Sequence, residues 1–310
     1  MNSWEGNRNI RSILIVIGVL LLTKISAHSF LRPESGTPVG SDMLVTTDWV
    51  ATHLHNSNLI VLCIVDDEHF YSSGHIPGAR MIRLSQIVTT RDGIPNELPP
   101  PDHLQRVFEN AGVSNDSRIV LYGERSGLLA ARAYYTLDYL GLADRAALLN
   151  GGMEKWRSER RQESTAVSLV RVGKLDIRTR AEIVVSLAQM TEYSRSGEAV
   201  VLVDARPKAE YSGEKLSEDV SKAGHIPHAQ GLYWRELLRD DSVPELKSPA
   251  ELRELFRASG AAPGREVITY CRTGMQSSFS YFVAKYLGYN TRMYDGSFYE
   301  WSRSSVPVEH

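Results

Sequence analysis

The feature that most constrains the fold of this chain is an internal repeat. Residues 74–79 read Gly-His-Ile-Pro-Gly-Ala, and residues 224–229 read Gly-His-Ile-Pro-His-Ala. Proline fixes the backbone and glycine permits a tight turn, so the same turn is predicted at both places. A turn that recurs along the chain indicates two copies of one structural unit rather than one large core.

The flanks of the two turns match as well. An apolar run precedes each turn, a second apolar run follows it, and each copy ends on a segment that contains a tryptophan. These segments are residues 59–63, 118–123 and 150–156 in the first copy and residues 200–204, 266–271 and 295–301 in the second. Short apolar runs that alternate with helical stretches predict βα units. The predicted fold is therefore α/β, with two tandem domains that each consist of a parallel sheet flanked by helices.

The repeat also predicts the domain boundaries. We expect the first domain at residues 41–157 and the second at residues 181–310. Residues 158–180 between them are charged and weakly patterned, which is typical of a linker. Residues 28–40 contain two prolines and two glycines and are expected to form an unstructured lead-in.

The chain begins with a positively charged segment and then an apolar one. Arg8 and Arg11 precede an apolar run at residues 13–22, and a segment with small residues follows. This order is typical of a secretory signal peptide, here residues 1–27. The run is shorter than the roughly 20 residues of a membrane-spanning helix. We expect export, into the periplasm of a bacterium. The alternative is an uncleaved signal anchor in the inner membrane, and only then is a membrane a partner.

Composition argues against several classes of function. The net charge is −2, from 35 Lys and Arg and 37 Asp and Glu, so no nucleic-acid partner is expected. Two cysteines, Cys63 and Cys271, are too few for a disulfide framework, and the nine histidines are scattered, so no metal site is predicted. Cys63 lies inside an apolar run and is expected in the core, which argues against a bridge to Cys271.

Cys271 stands where a thiolate is favoured. An apolar β-rich run ends at this cysteine, a short polar loop follows, and a helical pattern covers residues 279–287. The unpaired N–H groups and the dipole of a helix N-terminus stabilise a negative charge, and Arg272 adds a cation. A buried structural cysteine is the alternative, since free cysteines are usually core residues. The position and the arginine favour a reactive thiol.

Only the second copy carries this thiol. Gly123 stands in the first copy where Cys271 stands in the second, so the first copy lacks the nucleophile. His75 and His225 of the repeated turn occur in both copies, including the copy without a thiol. Both histidines are therefore expected to support the turn rather than to take part in chemistry. The first copy is expected to be a scaffold that forms a wall of the site at the domain interface.

The combined motifs resemble a known family. The repeated Gly-His-Ile-Pro turn, the Tyr-Cys-Arg-x-Gly loop at residues 270–274 and the Asp-Gly-Ser-x-x-Glu-Trp ending at residues 295–301 are similar to those of the tandem-domain rhodaneses. These are thiosulfate and 3-mercaptopyruvate sulfurtransferases. The resemblance covers about residues 41–310. It implies that only the C-terminal domain is catalytic, that Cys271 is the nucleophile that accepts sulfane sulfur, and that neither a metal nor an organic cofactor is required.

The resemblance also implies roles around Cys271. Backbone N–H groups of the loop should hold the persulfide anion, and Arg272 should hold the anionic end of the donor. Asp204 and Arg206 follow a strand and are expected at the same sheet edge. Asp204 should orient its neighbours. Arg206 is the candidate for a second anion-binding group, because residues 209–210 read Ala-Glu where relatives often carry a substrate arginine. The loop residues are Arg272, Thr273, Gly274, Met275 and Gln276.

Substrate expectations rest on the same loop. An arginine after the cysteine resembles the thiosulfate type, so we expect thiosulfate as donor, sulfite as product, and cyanide or a thiol as acceptor. The alternative donor is 3-mercaptopyruvate, and the alternative of another class is a persulfide carrier or redox-binding module. A phosphatase is not expected, because a Cys-x5-Arg loop needs arginine where this chain has Ser277. Residues 212–223, which the first copy lacks, are expected to form a solvated surface loop, and the alternative is that they edge the site.

Overall fold

The structure covers both repeats. The computed structural model describes residues 40–196, 200–240 and 242–310. The predicted signal segment at residues 1–27 and the lead-in up to residue 39 lie outside the described residues. Within the described ranges, no helix combines the length and the apolar character that crossing a membrane requires.

Among its described residues, from Gly40 onward, the first half contains seven strands and six α-helices. The strands are β1 (Leu44–Val45), β2 (Leu59–Val65), β3 (Arg80–Arg83), β4 (Thr89–Arg91), β5 (Ile94–Glu97), β6 (Arg118–Gly123) and β7 (Ala146–Leu149). The helices are α1 (Thr47–His53), α2 (Glu68–Ser72), α3 (Leu84–Ile87), α4 (Pro101–Asn110), α5 (Leu128–Tyr139) and α6 (Gly152–Ser158).

The second half repeats this order with five strands and five α-helices among its described residues. The strands are β8 (Val184–Val185), β9 (Val200–Asp204), β10 (Gln230–Gly231), β11 (Glu266–Tyr270) and β12 (Thr291–Tyr294). The helices are α7 (Leu187–Ser196), α8 (Lys208–Tyr211), α9 (Pro249–Ala258), α10 (Met275–Tyr286) and α11 (Ser297–Arg303).

Each half is built on a five-stranded parallel sheet, and the strand order is the same in both. It is β1-β7-β6-β2-β3 in the first half and β8-β12-β11-β9-β10 in the second. The central strands β2, β6, β9 and β11 are buried along almost their whole length. Strands covered on both faces appear in sequence as continuous apolar runs, which is why the repeat was visible. The predicted α/β fold is confirmed.

The first half also has an antiparallel hairpin that the sequence analysis did not predict. Strands β4 and β5 form it, and Asp92 and Gly93 between them have φ angles of 53° and 77°, in the left-handed region. Asp-Gly is a dipeptide that tight hairpin turns favour, so this pair was an available sequence signal. The corresponding part of the second half contains a 3-10 helix, Trp234–Leu237, and an isolated bridge between Leu238 and Leu246.

Helices α5 and α10 form the centre of the contact between the halves. Tyr134 packs edge-on against Phe282 with ring centroids 4.9 Å apart, and Tyr135 packs against Tyr281 at 5.1 Å. Both helices have 12 residues and begin after a left-handed glycine, so Tyr134 is equivalent to Tyr281 and Tyr135 to Phe282. The two contacts are therefore one contact made twice. A single hydrophobic cluster contains residues of both halves.

Two hydrogen bonds show the same reciprocity. The Leu98 N–H donates to Oδ2 of Asp295 across the interface at 3.1 Å, and the Leu246 N–H donates to Oδ1 of Asn150 at 2.9 Å. Asn150 and Asp295 open the matching end segments of the two copies. Each half thus contacts the other with the same surface. Because α10 starts directly after the Cys271 loop, this interface places the loop beside the first half.

The two Gly-His-Ile-Pro turns are held in the same way. Nδ1 of His75 donates to the Tyr71 carbonyl and Nδ1 of His225 to the Tyr211 carbonyl, each at 3.0 Å. Each imidazole also stacks on the ring of that tyrosine, at 3.8 and 4.0 Å between centroids. Each turn is bridged to the segment after the last helix of its half. The bridged pairs are His75 with Ser164 and His225 with Glu309. These contacts give both histidines a structural role.

Candidate active site

Cys271 lies at the carboxyl end of β11, the edge at which open α/β sheets bind ligands. Its residue surface is 1% exposed. The Cys271 N–H donates to Oγ of Ser297 at 3.3 Å, and the Cys271 carbonyl accepts from the Phe298 N–H at 2.9 Å. Because α11 begins at Ser297, the strand end and the start of this helix hold the cysteine between them.

The loop after Cys271 leads directly into the N-terminus of α10. Gly274 has a φ of 82° and precedes the first helical residue, Met275. None of the backbone N–H groups of residues 272–276 donates a hydrogen bond to an acceptor in the described part of the chain. Unpaired N–H groups that follow a thiol at the start of a helix can bind an anion, as backbone nests and helix N-termini do. The loop can therefore hold a negative charge at or next to the cysteine sulfur.

A buried ion pair across the interface supports this loop from below. Nη1 of Arg132, on α5 of the first half, donates to Oδ1 of Asp295 at 2.5 Å, and Nη2 donates to Oδ2 at 3.2 Å. The two side chains are 0% and 2% exposed. A Cβ atom at Gly274 would lie 2.6 Å from Oδ1 of Asp295. The close approach of the loop to this pair thus requires glycine at position 274.

The hairpin of the first half contacts the loop from the side. Nδ2 of Asn96 donates to Oγ1 of Thr273 at 3.1 Å, and the Asn96 carbonyl accepts from Nη2 of Arg132 at 2.6 Å. Burial raises the pKa of the neighbouring Glu97 carboxyl to about 7, and the negative charge of Asp295 adds to this effect. The half without the thiol therefore supplies one wall around the Cys271 loop.

Arg272 projects from the loop with its side chain 42% exposed, so a solute can reach its guanidinium. Nη1 of Arg272 lies 3.7 Å from Oδ1 of Asp219, which belongs to the segment 212–223. The segment lies at the surface, with Glu214, Lys215, Leu216 and Glu218 exposed. It also edges the site, because Asp219 brings a carboxylate to Arg272.

Asp204 and Arg206 form a buried ion pair at the end of β9. Nε of Arg206 lies 3.0 Å from both carboxylate oxygens of Asp204, and Nη2 donates to Oδ2 at 2.6 Å. Nη2 also donates to the Gly224 carbonyl at 2.9 Å, and the guanidinium lies 3.9 Å from the ring centroid of Phe298. Asp204 thus holds the guanidinium of Arg206. Arg206 is 2% exposed and engaged on all these sides, so the geometry favours a supporting role over contact with a substrate anion.

In the first half, Cys63 and Val65 at the end of β2 occupy the positions that Asp204 and Arg206 occupy at the end of β9. Strand register pairs Cys63 with Tyr122 and Asp204 with Tyr270, so Cys63 is equivalent to Asp204. Both cysteines of the chain are free. Burial raises the pKa of the Cys63 thiol to about 12, against a hydrogen bond with Tyr122 that lowers it. Cys63 therefore stays protonated and inert, as a core cysteine does.

The loop of the first half differs by more than the missing thiol. Three residues separate Gly123 from the left-handed Gly127, whereas two residues separate Cys271 from Gly274. Arg125 and Ser126 adopt left-handed φ angles of 57° and 56° in the longer loop. A cysteine at position 123 would therefore face a different arrangement of N–H groups.

Sequence reasoning missed four residues of the site, and each had a weak signal. Asn96 follows the Asp-Gly hairpin dipeptide. Arg132 interrupts the apolar run at residues 128–135. Asp219 lies in a segment that only one copy has, and Asp295 is acidic where the first copy has Asn150. None of these signals shows that the residue meets the Cys271 loop, because every such contact joins distant parts of the chain.

Comparison with known proteins also finds two copies of one domain in this chain. The model of the rhodanese-like domain matches residues 46–159 and again residues 186–304. The chain is 34% identical to the sulfur carrier protein TtuD of Thermus thermophilus over 280 residues, which cover 86% of this chain and 96% of that protein. It is 29% identical to the thiosulfate sulfurtransferase of Corynebacterium glutamicum, over 86% of this chain and 90% of the other.

A solved structure is similar over almost its whole length. It is the 3-mercaptopyruvate sulfotransferase SseA of Escherichia coli, which matches with a TM-score of 0.74 and 25% sequence identity. The match covers 82% of this chain and 98% of SseA.

Proposed function

Because this chain belongs to the rhodanese family of sulfurtransferases and carries two copies of its domain, we propose that it transfers the sulfane sulfur of thiosulfate through a persulfide on Cys271. The observation that carries the proposal is the position of Cys271 beside five N–H groups that have no acceptor in the described chain. That arrangement suits a nucleophilic sulfur which is negatively charged before and after it takes up a second sulfur.

The chemistry consists of two displacements. The Cys271 thiolate attacks the outer sulfur of thiosulfate, a new sulfur–sulfur bond forms, and the old one breaks with its electron pair leaving on sulfite. The N–H groups of residues 272–276 stabilise the negative charge of the persulfide. Cyanide or a thiolate then attacks the outer sulfur, and the Cys271 thiolate leaves in its original state. Neither step needs a metal or an organic cofactor.

Among the residues of the loop, Arg272 favours thiosulfate as the donor. Arg272 is exposed beside Cys271, and a guanidinium matches the oxygens of a sulfonate group. Mercaptopyruvate is the second candidate, favoured by the similarity to SseA. A tenfold or larger advantage of 3-mercaptopyruvate over thiosulfate in kcat/KM would overturn the donor assignment.

The test of the nucleophile uses both cysteines. Cys271→Ser should lower turnover by at least about a thousandfold, because the covalent intermediate is lost. Cys63→Ala is the matched control and should keep turnover within about twofold, since its thiol is buried and protonated. Mass spectrometry after thiosulfate treatment should show about 32 Da added to the peptide that contains Cys271. Turnover in Cys271→Ser, or no added sulfur on the wild type with either donor, would contradict the proposal.

A persulfide carrier is the candidate from another class, because one relative is named a sulfur carrier protein. The two differ in how the persulfide is discharged. In an enzyme that uses small-molecule acceptors, the Cys271 persulfide returns to the free thiol within seconds after cyanide or a small thiol is added. A carrier keeps its persulfide until a specific acceptor protein is added.

We further propose that the protein is exported through the segment at residues 1–27, as its charge and apolar pattern support. Fractionation and N-terminal sequencing of the mature protein test this. A mature chain that begins after Ala27 or Ser29 supports a cleaved signal peptide. A full-length chain in the membrane fraction supports the anchor, and a full-length chain in the soluble cytoplasmic fraction contradicts export.

A further inference from the structure

The segment 212–223 places a carboxylate against the arginine that is proposed to hold the donor. We propose that Asp219 is a charge filter that weakens the binding of dianionic sulfur donors more than that of monoanionic ones. This rests on the proposed function, since it takes Arg272 as the group that binds the anionic end of the donor.

The contact between the two side chains is loose. Oδ1 of Asp219 and Nη1 of Arg272 are 3.7 Å apart, beyond the usual hydrogen-bond range of about 2.7–3.2 Å. Oδ1 of Asp219 is buried, although the side chain as a whole is 44% exposed, and this atom accepts no hydrogen bond from the described residues. A buried carboxylate oxygen without a donor is rare in folded proteins. The carboxylate therefore acts on Arg272 through its charge, without occupying the donors of the guanidinium.

The segment holds Asp219 in place from both sides. Nζ of Lys222 donates to the carbonyls of Ser304 and Val306 at 2.7 and 2.5 Å. The Ser221 N–H donates to Oγ of Ser302 at 3.0 Å. On the other side, the Lys215 N–H donates to the Ala209 carbonyl at 2.8 Å, and Val220 beside Asp219 is buried. These anchors hold the backbone around Asp219 and so limit how far its carboxylate can move from Arg272.

A fixed negative charge near the anion site separates donors by charge. The Coulomb energy between two groups scales with the product of their charges, so a dianion at Arg272 is repelled by Asp219 twice as strongly as a monoanion. Thiosulfate carries two negative charges at neutral pH and 3-mercaptopyruvate carries one. A tenfold loss of affinity for the dianion therefore corresponds to about a threefold loss for the monoanion, since affinity depends exponentially on energy.

The test compares Asp219→Asn with the wild type on both donors. The substitution keeps the shape of the side chain and removes its charge. We expect KM for thiosulfate to fall about tenfold and KM for 3-mercaptopyruvate about threefold. The matched control is Glu218→Gln, because Glu218 is exposed, adjacent and makes the same change in net charge. Its KM values should stay within about twofold of the wild type. Added salt should narrow the difference between wild type and Asp219→Asn.

A second measurement does not depend on turnover. Sulfate, a dianion, and nitrate, a monoanion, are titrated while the melting temperature is followed, since a ligand of the folded state raises it. Asp219→Asn should need about tenfold less sulfate than the wild type for the same shift and about threefold less nitrate. If neither donor is turned over but Asp219→Asn binds sulfate and nitrate more tightly in this ratio, the role of Asp219 is supported and the proposed donors are rejected. The proposal would be overturned if Asp219→Asn lowered the required sulfate and nitrate concentrations by the same factor, or did not lower them at all. It would also be overturned if Glu218→Gln lowered them as Asp219→Asn does.

Discussion

At the scale of single residues, the two halves carry different chemistry in the same place. The end of β2 has Cys63 followed two residues later by Val65, and the equivalent end of β9 has Asp204 followed by Arg206. The apolar pair needs no partners, whereas each buried charge depends on the other. Removing one residue of the ion pair should therefore destabilise the protein more than removing one residue of the apolar pair.

A swap between the halves tests this difference. Arg206→Val leaves Asp204 buried without its counter-charge and should lower the free energy of unfolding by about 3–5 kcal/mol. The double variant Asp204→Cys with Arg206→Val copies the apolar pair of the first half and should recover most of that loss. Guanidinium-induced unfolding measures both. A double variant as unstable as Arg206→Val alone would show that the buried charge is not the cause.

Glu97 gives the wall beside the loop a pH dependence. Its carboxyl pKa is raised from 4.5 to about 7, so the folded state binds this proton more tightly than the unfolded state does. The stability that protonation of Glu97 gives to the folded state is fully present below pH 4.5 and is lost as the pH rises through about 7. On going from pH 5 to pH 8, the free energy of unfolding of Glu97→Gln should therefore rise by roughly 2 kcal/mol relative to that of the wild type. Unfolding curves at both pH values check this. The control Glu214→Gln, at an exposed site, should show no such gain.

At the scale of elements, the sequence predicts the strands that are buried on both faces and misses those that are not. Strand β11 is a continuous apolar run, and its end at Cys271 was visible without a structure. Strand β5 contains proline, asparagine and glutamate and has no apolar pattern, so only the Asp-Gly turn before it indicates a hairpin.

The segment 212–223 shows a second limit of local patterns. It is rich in charged and polar residues, which is typical of a solvated loop. Its course is set instead by Lys222, which bonds to carbonyls of the C-terminal segment more than 80 residues away. Local composition carries no information about such a contact. The loop at Cys271 could be predicted because its residues are contiguous, whereas Asp219 could not be placed.

Glycine at the start of α10 supports a prediction with a matched control. Gly274 and Gly264 both have a φ of 82°, but a Cβ at Gly274 would meet Asp295 whereas one at Gly264 would meet nothing within 4 Å. Gly264→Ala should cost about 1–2 kcal/mol of unfolding free energy through backbone strain alone. Gly274→Ala should cost more and should lower turnover at least tenfold, because it displaces the ion pair under the loop. Equal effects on stability and turnover would contradict this role for Asp295.

At the scale of the whole molecule, the two halves share one hydrophobic cluster, and each half has a further cluster of its own in the described residues. Tyr134 and Tyr135 of the first half pack on Phe282 and Tyr281 of the second, within one hydrophobic cluster. The sequence predicts two domains, because the repeat is plain. It does not predict that they interlock, because rings that face each other across an interface look in sequence like any core residue.

A shared cluster predicts cooperative unfolding. Calorimetry should show a single transition whose calorimetric and van't Hoff enthalpies agree, because neither half can open without exposing aromatic surface of the other. The variant Tyr134→Ala removes part of that contact and should lower the melting temperature of the single transition. Two separate transitions in the wild type would mean that the halves are stable independently.

The reciprocal contact of α5 and α10 has the form of a twofold dimer interface, in which identical subunits offer the same patch. At its end, equivalent positions meet: Asp138 of one helix and Lys285 of the other, 2.5 Å apart. In a homodimer, the first half would bring two aspartates together there and the second half two lysines. The duplicated parts have therefore diverged into complementary subunits on one chain. At this position each half therefore carries the charge that complements the other half and that would repel a second copy of itself.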